Sequence, residues 1–226
     1  DNNNIKKLYV GRQLKNTMDW LPNVESIIIA KTVKSFENHL FSSEKIKELD
    51  LEDADEILDF DLNPIVGKVK TLYMGRNISV GTYEGEDEFD WFNRVTTLGN
   101  SFRLLEELGI GPKVNTICPF FCQNNTKLAS LVIPGNVKTI GKKAFYRNAC
   151  LKEITFEEGV EYIGQYAFGY EEDEMEGAYS GNKPFISSLV IPSSVKTIDS
   201  YAFSGIKVDK LHFADGVGTL GNRCFA

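Results

Sequence analysis

LASLVIPGNVKTIGKKAF, residues 128–145, is followed by LKEITFEEGVEYIGQYAF, residues 151–168, and the two are one pattern written twice, 23 residues apart. Leu128 falls on Leu151, Leu131 on Ile154, Ile133 on Phe156 and Val137 on Val160. Ile140 then falls on Ile163, Gly141 on Gly164, and Ala144-Phe145 on Ala167-Phe168. A fixed period of roughly 20 to 50 residues marks a chain that stacks copies of one unit into a solenoid.

Outward from this pair the pattern runs almost end to end. Ile186–Phe203 (ISSLVIPSSVKTIDSYAF) and Val208–Phe225 (VDKLHFADGVGTLGNRCF) repeat it toward the C-terminus. Upstream lie Leu105, Leu108, Ile110, Val114 and Ile117, and before them Val69, Leu72 and Met74, with a second half assigned to Val95, Leu98, Gly99 and Phe102. Ile46, Leu49 and Leu51 open a unit whose second half, Ala54 and Ile57, is displaced by one residue. Val24–Phe41 is a whole unit with Ile27, Ile29, Val33, Phe36 and Phe41 at the apolar stations, and Ile5–Arg12 is half of one. The reading is nine units in a single domain spanning 1–226.

Each unit carries its own folding instructions. Leu131 and Ile133 alternate with Ser130 and Val132, the period of a short strand with one face inward. The VKTIG half suits a second short strand ending in a turn, and the Ala-Phe pair suits a short helical turn whose ring plugs the interior. One unit cannot bury these residues alone; stacking covers them in apolar columns. Two insertions break the rhythm. The step from Met74 to Val95 is 21 residues where Ile133 to Val137 is 4, and that from Phe168 to Ile186 is 18 where Phe145 to Leu151 is 6. The reading places inserted loops at about 78–94 and 170–185, each rich in acids.

LxxLxIPxxVxxIGxxAF resembles the BspA-like leucine-rich repeat, from Ile5 to Phe225 and most closely over 105–168 and 186–225. The resemblance implies a right-handed leucine-rich-repeat solenoid with a parallel sheet along one face. It also implies a secreted or surface-attached protein, often bacterial, in a family some of whose members adhere to host matrix proteins. The family's repeat carries no catalytic residues, so the resemblance supplies none.

Composition narrows the functions. A formal net charge of −7 argues against nucleic acid, which needs clustered cations to replace counterions. No apolar run approaches the ~18 residues of a membrane span. The chain opens Asp1-Asn2-Asn3-Asn4 with no signal segment, as a mature or trimmed form would. The last unit stops at Ala226 without a polar cap, so end-to-end self-association or a longer parent chain is expected.

Catalytic chemistry finds little support. His39 and His212 are the two histidines, and both read as solvated surface residues; no phosphate-cradling glycine loop appears. Between Glu44 and Asp61 nine acids face two lysines, but without the spacing of a calcium loop, so neither a metal nor a cofactor is expected. Cys118, Cys122, Cys150 and Cys224 are expected as free thiols, with a Cys118–Cys122 bridge the alternative; Cys122 takes the station of Phe145 and Cys224 that of Ala144.

What remains is a non-catalytic module that binds a protein or glycan, or a structural spacer with no ligand of its own. Strand alternation turns one residue per unit outward, and stacking aligns them: Tyr9, Ile28, Asp50, Tyr73, Gly109, Val132, Thr155, Val190 and His212. Five of these are apolar or aromatic although they face away from the core. High β-propensity accounts for such residues on any strand; a recognition surface with tyrosine anchors accounts for them as well.

Overall fold

A computed structural model describes residues 4–13, 23–37, 45–61, 69–79, 102–170 and 183–226. Alternating apolar residues make short strands, and these form two sets. The front set is β1 (Lys7–Val10), β2 (Ser26–Ile29), β4 (Glu48–Leu51), β6 (Thr71–Met74), β8 (Glu107–Ile110), β10 (Ser130–Ile133), β12 (Glu153–Phe156), β14 (Phe185–Ile191) and β16 (Lys207–Phe213). The back set is β3 (Ser35–Glu37), β5 (Leu58–Asp61), β7 (Ile78–Ser79), β9 (Thr116–Ile117), β11 (Thr139–Ile140), β13 (Tyr162–Ile163), β15 (Thr197–Ile198) and β17 (Thr219–Leu220). All pairings are parallel, and the register sets Leu131 against Ile154 and Ile140 against Ile163, as the repeat demands. The result is a parallel β-solenoid, with no helix among the described residues.

Its interior is made of the inward stations. Ile27, Leu49 and Leu72 form one buried column; Ile29, Leu51 and Met74 form the next. Burying such a side chain is worth about 1.5–3 kcal/mol. A third column is aromatic. Phe102, Phe121, Phe145, Phe168 and Phe203 are buried and follow one another at centroid distances of 5.3, 6.1, 5.3 and 5.1 Å, and Phe225 extends the stack at 4.9 Å.

The Ala-Phe corner corrects the sequence reading, for it is not helical. Phe120, Lys143, Tyr166, Tyr201 and Arg223, each two residues before the corner's Phe station, have φ between 52° and 61°, the left-handed region. That conformation cannot continue a right-handed helix. It splits the amides instead: Lys143, Phe145 and Arg147 donate to Gln165, Ala167 and Gly169 of the following turn, whereas Ala144 and Tyr146 donate within their own turn. The corner is a third hydrogen-bonded ladder.

Other expectations also change. The described residues support about seven turns rather than nine. The return of the first unit, 14–22, lies outside them. Ile57 is exposed and Leu58 is buried, because the acidic corner before β5 is longer than its neighbours and Phe60 is what aligns with Phe36. The back strand after β6 is Ile78–Ser79, paired with β5, so the expected insertion follows this strand. Val95, Leu98 and Gly99, along with Phe41, lie outside the described residues, as do 80–101 and 171–182. In the next turn Phe121, not the residue at 122, supplies the core ring; Cys122 is buried beside it.

The sheets do not run unbroken. The front sheet β1-β2-β4-β6-β8 ends where the back sheet β9-β11-β13-β15-β17 begins. The turn that holds β8 and β9 therefore belongs to both halves. Asn77 splices the back side, its Oδ1 accepting from Asn115 N and Thr116 N at 3.0 Å each. Truncating the aromatic column should be costly. Phe168→Ala leaves the rings of Phe145, Phe156 and Phe203 facing a void, and we expect a loss of about 3–5 kcal/mol in urea unfolding; a loss below about 1 kcal/mol would contradict this packing.

Candidate recognition face

The outward column is built by strand register. Tyr9 pairs with Ile28, Ile28 with Asp50, Asp50 with Tyr73 and Tyr73 with Gly109, one residue per strand in a continuous ladder. Val132 pairs with Thr155, and Val190 with His212. The breaks between β8 and β10 and between β12 and β14 divide the column into three segments. Tyr9, Val132 and Val190 are exposed at 59%, 52% and 50%. Thr155 and His212 are also exposed; Ile28, Asp50 and Tyr73 are half-buried.

Glycines shape this face. The Tyr73 ring lies across β8 and the residue after it: a Cβ at Gly109 would come within 3.1 Å of its Cδ2, and one at Gly111 within 2.7 Å of its hydroxyl. Tyr73 Oη donates to Asp53 Oδ1 at 3.0 Å. Burial, then this hydrogen bond, then the charges of Asp53 and Asp50 push the Tyr73 phenol up. Asp50 is raised by burial first, then by the neighbouring Glu52 and Asp53. Beside the column a cleft of about 560 Å³ is lined by Lys31, Lys34, Asp53, Asp55, Glu56 and Lys113, with Lys113 Nζ 2.8 Å from Asp55.

A family model described as the BspA type leucine-rich repeat region matches six copies over residues 12–61, 93–174 and 176–226. The chain belongs to the BspA-type leucine-rich repeat family. Two solved structures are similar to it. The pneumococcal vaccine antigen PcpA is 20% identical with a TM-score of 0.47, over 90% of this chain and 48% of that one. A leucine-rich cell surface protein from Faecalibacterium prausnitzii A2-165 is 15% identical with a TM-score of 0.34, over 85% and 60%. The chain thus spans about half the length of the first and three-fifths of the second. No curated protein matches it.

Within the BspA-type turns, chemistry is sparse. Among the described residues no group of three His, Cys, Asp or Glu side chains is arranged to hold a metal ion. No helix among them is long and apolar enough to cross a membrane. His39 and the acidic stretches 84–90 and 171–176 lie outside them. All four cysteines are unbridged. Burial pushes the Cys118 and Cys122 thiols up to about 12, and Cys224 is raised for the same reason.

Sequence reading missed Arg76. The guanidinium is fully buried and donates from Nη1 to Val33 O and from Nη2 to Ala30 O, both at 2.7 Å, with longer bonds to Ile29 O and Lys31 O. Burial lowers its pKa, and the charges of Glu52 and Glu56 act in the opposite direction. No local sequence signal marks it; beside it, Gly75 packs directly on the main chain after Leu51.

Two measurements check this electrostatic picture. A carboxyl with a raised pKa destabilises the fold once pH rises through that pKa, and the penalty vanishes below the ordinary value of 3.8. Asp50→Asn should therefore raise the melting temperature at pH 7 by about 1–2 °C, with no gain at pH 3. Exposed Cys150 should be the one thiol that iodoacetamide alkylates quickly at pH 8, all four reacting in denaturant. Rapid native labelling of Cys118 or Cys122 would refute the burial described.

Proposed function

We propose that the protein is a non-catalytic recognition module, secreted or displayed at a cell surface, whose front face holds a protein or glycan partner. The observation that carries this reading is the outward column. Tyr9, Val132 and Val190 stay half or more exposed on strands whose inward neighbours are buried or, for Leu8, half-buried. Large apolar side chains aligned on one exposed face favour contact with another surface. Tyr9 and Tyr73 are three strands apart, about 14 Å at strand spacing, so one extended partner reaches both. Tyrosine suits such a role, giving a broad apolar face and a polar tip at low entropic cost. Family membership supports the non-catalytic reading, because a repeat frame supplies scaffold and leaves specificity to exposed positions.

The second reading, a spacer with no ligand, draws support from the ladders themselves, which tie successive turns together along the coil. A panel of matrix proteins and glycans, immobilised and probed with the purified chain, separates the two. For a partner so identified, Tyr9→Ala with Tyr73→Ala should weaken binding by at least about 2 kcal/mol, roughly 30-fold in Kd, with the melting temperature little changed. Unchanged affinity in that double variant would remove the front column from the site.

A further inference from the structure

The left-handed corner is a second surface, and a basic one. Residues 119–124, 142–147, 165–170, 200–205 and 222–226 occupy it in successive turns. None of the chain's 32 acids falls there, whereas Lys142, Lys143, Arg147 and Arg223 do. Lys142 and Arg223 are exposed; Lys143, Arg147, Tyr166 and Tyr201 are half-buried. Asp199, at the rim, accepts the hydroxyl of Tyr162 on β13 at 2.9 Å.

Side chains at the left-handed station come at a conformational cost. Glycine and asparagine adopt this backbone with least strain, and the chain uses Gly205 at φ 76° and Asn124 at φ 58° in the same corner. Yet the five aligned positions hold Phe120, Lys143, Tyr166, Tyr201 and Arg223. Packing accounts for part of this. Tyr166 and Tyr201 stack at 4.8 Å with planes 7° apart, and Lys143 Nζ lies 4.8 Å from the Tyr146 centroid and 5.6 Å from that of Tyr166. Arg147 lies 5.1 Å from the Tyr146 ring. These contacts pre-position two cations along the stack, which lowers the entropy lost on binding. No such contact accounts for exposed Arg223.

We propose that this corner binds a linear anionic polysaccharide, one bearing carboxylate or sulfate groups, laid along the solenoid axis. Lys143 and Arg223 are three turns apart, about 14 Å at strand spacing, with the edges of two tyrosines between them. Stacking covers one face of each tyrosine ring, and Tyr146 and Lys143 also pack against Tyr166, which leaves less of a platform for a neutral sugar. In the turn 142–147 the amides are already spent: Lys143, Phe145 and Arg147 donate to the next turn, and Ala144 and Tyr146 within their own. An acidic peptide would bring main-chain groups that this surface cannot pair. A polysaccharide needs only the charges and hydroxyls on offer.

The test is calorimetry of the intact chain with heparin as the probe, alongside poly-L-glutamate and neutral dextran. We expect heparin to bind with an affinity that falls steeply with salt, and poly-L-glutamate and dextran to bind at least tenfold more weakly. Lys143→Gln with Arg147→Gln and Arg223→Gln should weaken heparin binding at least tenfold. Lys142→Gln with Arg223→Gln alters only exposed side chains and should weaken it at least threefold, so a folding defect in the triple variant would not hide the answer. Tyr9→Ala with Tyr73→Ala should leave heparin binding unchanged, which separates this site from the front column. The acids Glu171–Glu176 follow Tyr170 in the chain, and replacing them with glutamine should tighten heparin binding. Absent heparin binding, equal binding of poly-L-glutamate, indifference to the corner substitutions, loss in the Tyr9/Tyr73 variant, or weakening on removal of the acids would each overturn the proposal.

Discussion

The structure depends on main-chain hydrogen bonds between turns, and on their running in two directions. Beside the front and back strands many amides donate to the turn before, as Lys152 N does to Ala129 O and Gly164 N to Ile140 O, although Leu58 N donates to Asn77 O of the turn after. At the corner it donates to the one after, as Lys143 N does to Gln165 O. In the C-terminal half a turn is therefore held from both sides, and its register with the next, 23 residues from Ser130 to Glu153 and from Thr139 to Tyr162, is fixed at three points around the coil. A residue at one station must then meet its copy in the next turn. That is why apolar stations become buried columns, and why a single aromatic per corner becomes a continuous stack.

The strand stations were legible in the sequence because they obey a period of two inside a period of 23. Leu131, Ile133, Val137 and Ile140 alternate or recur as inward residues do, and all four are fully or almost fully buried. The corner was not legible. Its spacing of apolar residues matches a helical turn, and a left-handed residue leaves no mark in a sequence when lysine, tyrosine and arginine fill it instead of glycine. The same limit explains the shift from Ile57 to Leu58. Both are apolar and adjacent, so only the length of the acidic corner before them, set in three dimensions, decides which one turns inward.

Arg76 shows a different limit. Its partners, the carbonyls of Ala30 and Val33, precede it by 46 and 43 residues, two turns back in the stack. Nothing local marks such a bond. Physically it adds donors at a buried N-terminal corner, where Ala30 O and Ile29 O each accept one amide, from Val33 and Glu52, and have a lone pair left. A fork of donors on a long stem reaches those carbonyls and satisfies several at once, which lysine could not do with the same geometry. The cost is a buried charge whose Nε has no partner among the described residues. Asn125 solves the matching problem in the C-terminal half without charge: its Nδ2 donates to Phe102 O and Leu105 O, and its Oδ1 accepts from Lys127 N and Leu128 N.

The candidate sites follow from the same division between main chain and side chain. Because the ladders and inward columns hold the coil, an outward station contributes little to the fold, and its residues are constrained mainly by what they touch outside. Along the front this leaves Tyr9, Val132 and Val190 exposed on strands that would hold equally well with threonine there. At the corner the constraint is sharper, since the left-handed backbone disfavours every side chain that has a Cβ. An exposed strand valine is explained by its strand alone. An arginine kept at φ 52° is not explained by its backbone, and a lysine at φ 55° is explained in part by its packing on Tyr146 and Tyr166, so of the two surfaces the corner carries the stronger physical argument for a ligand.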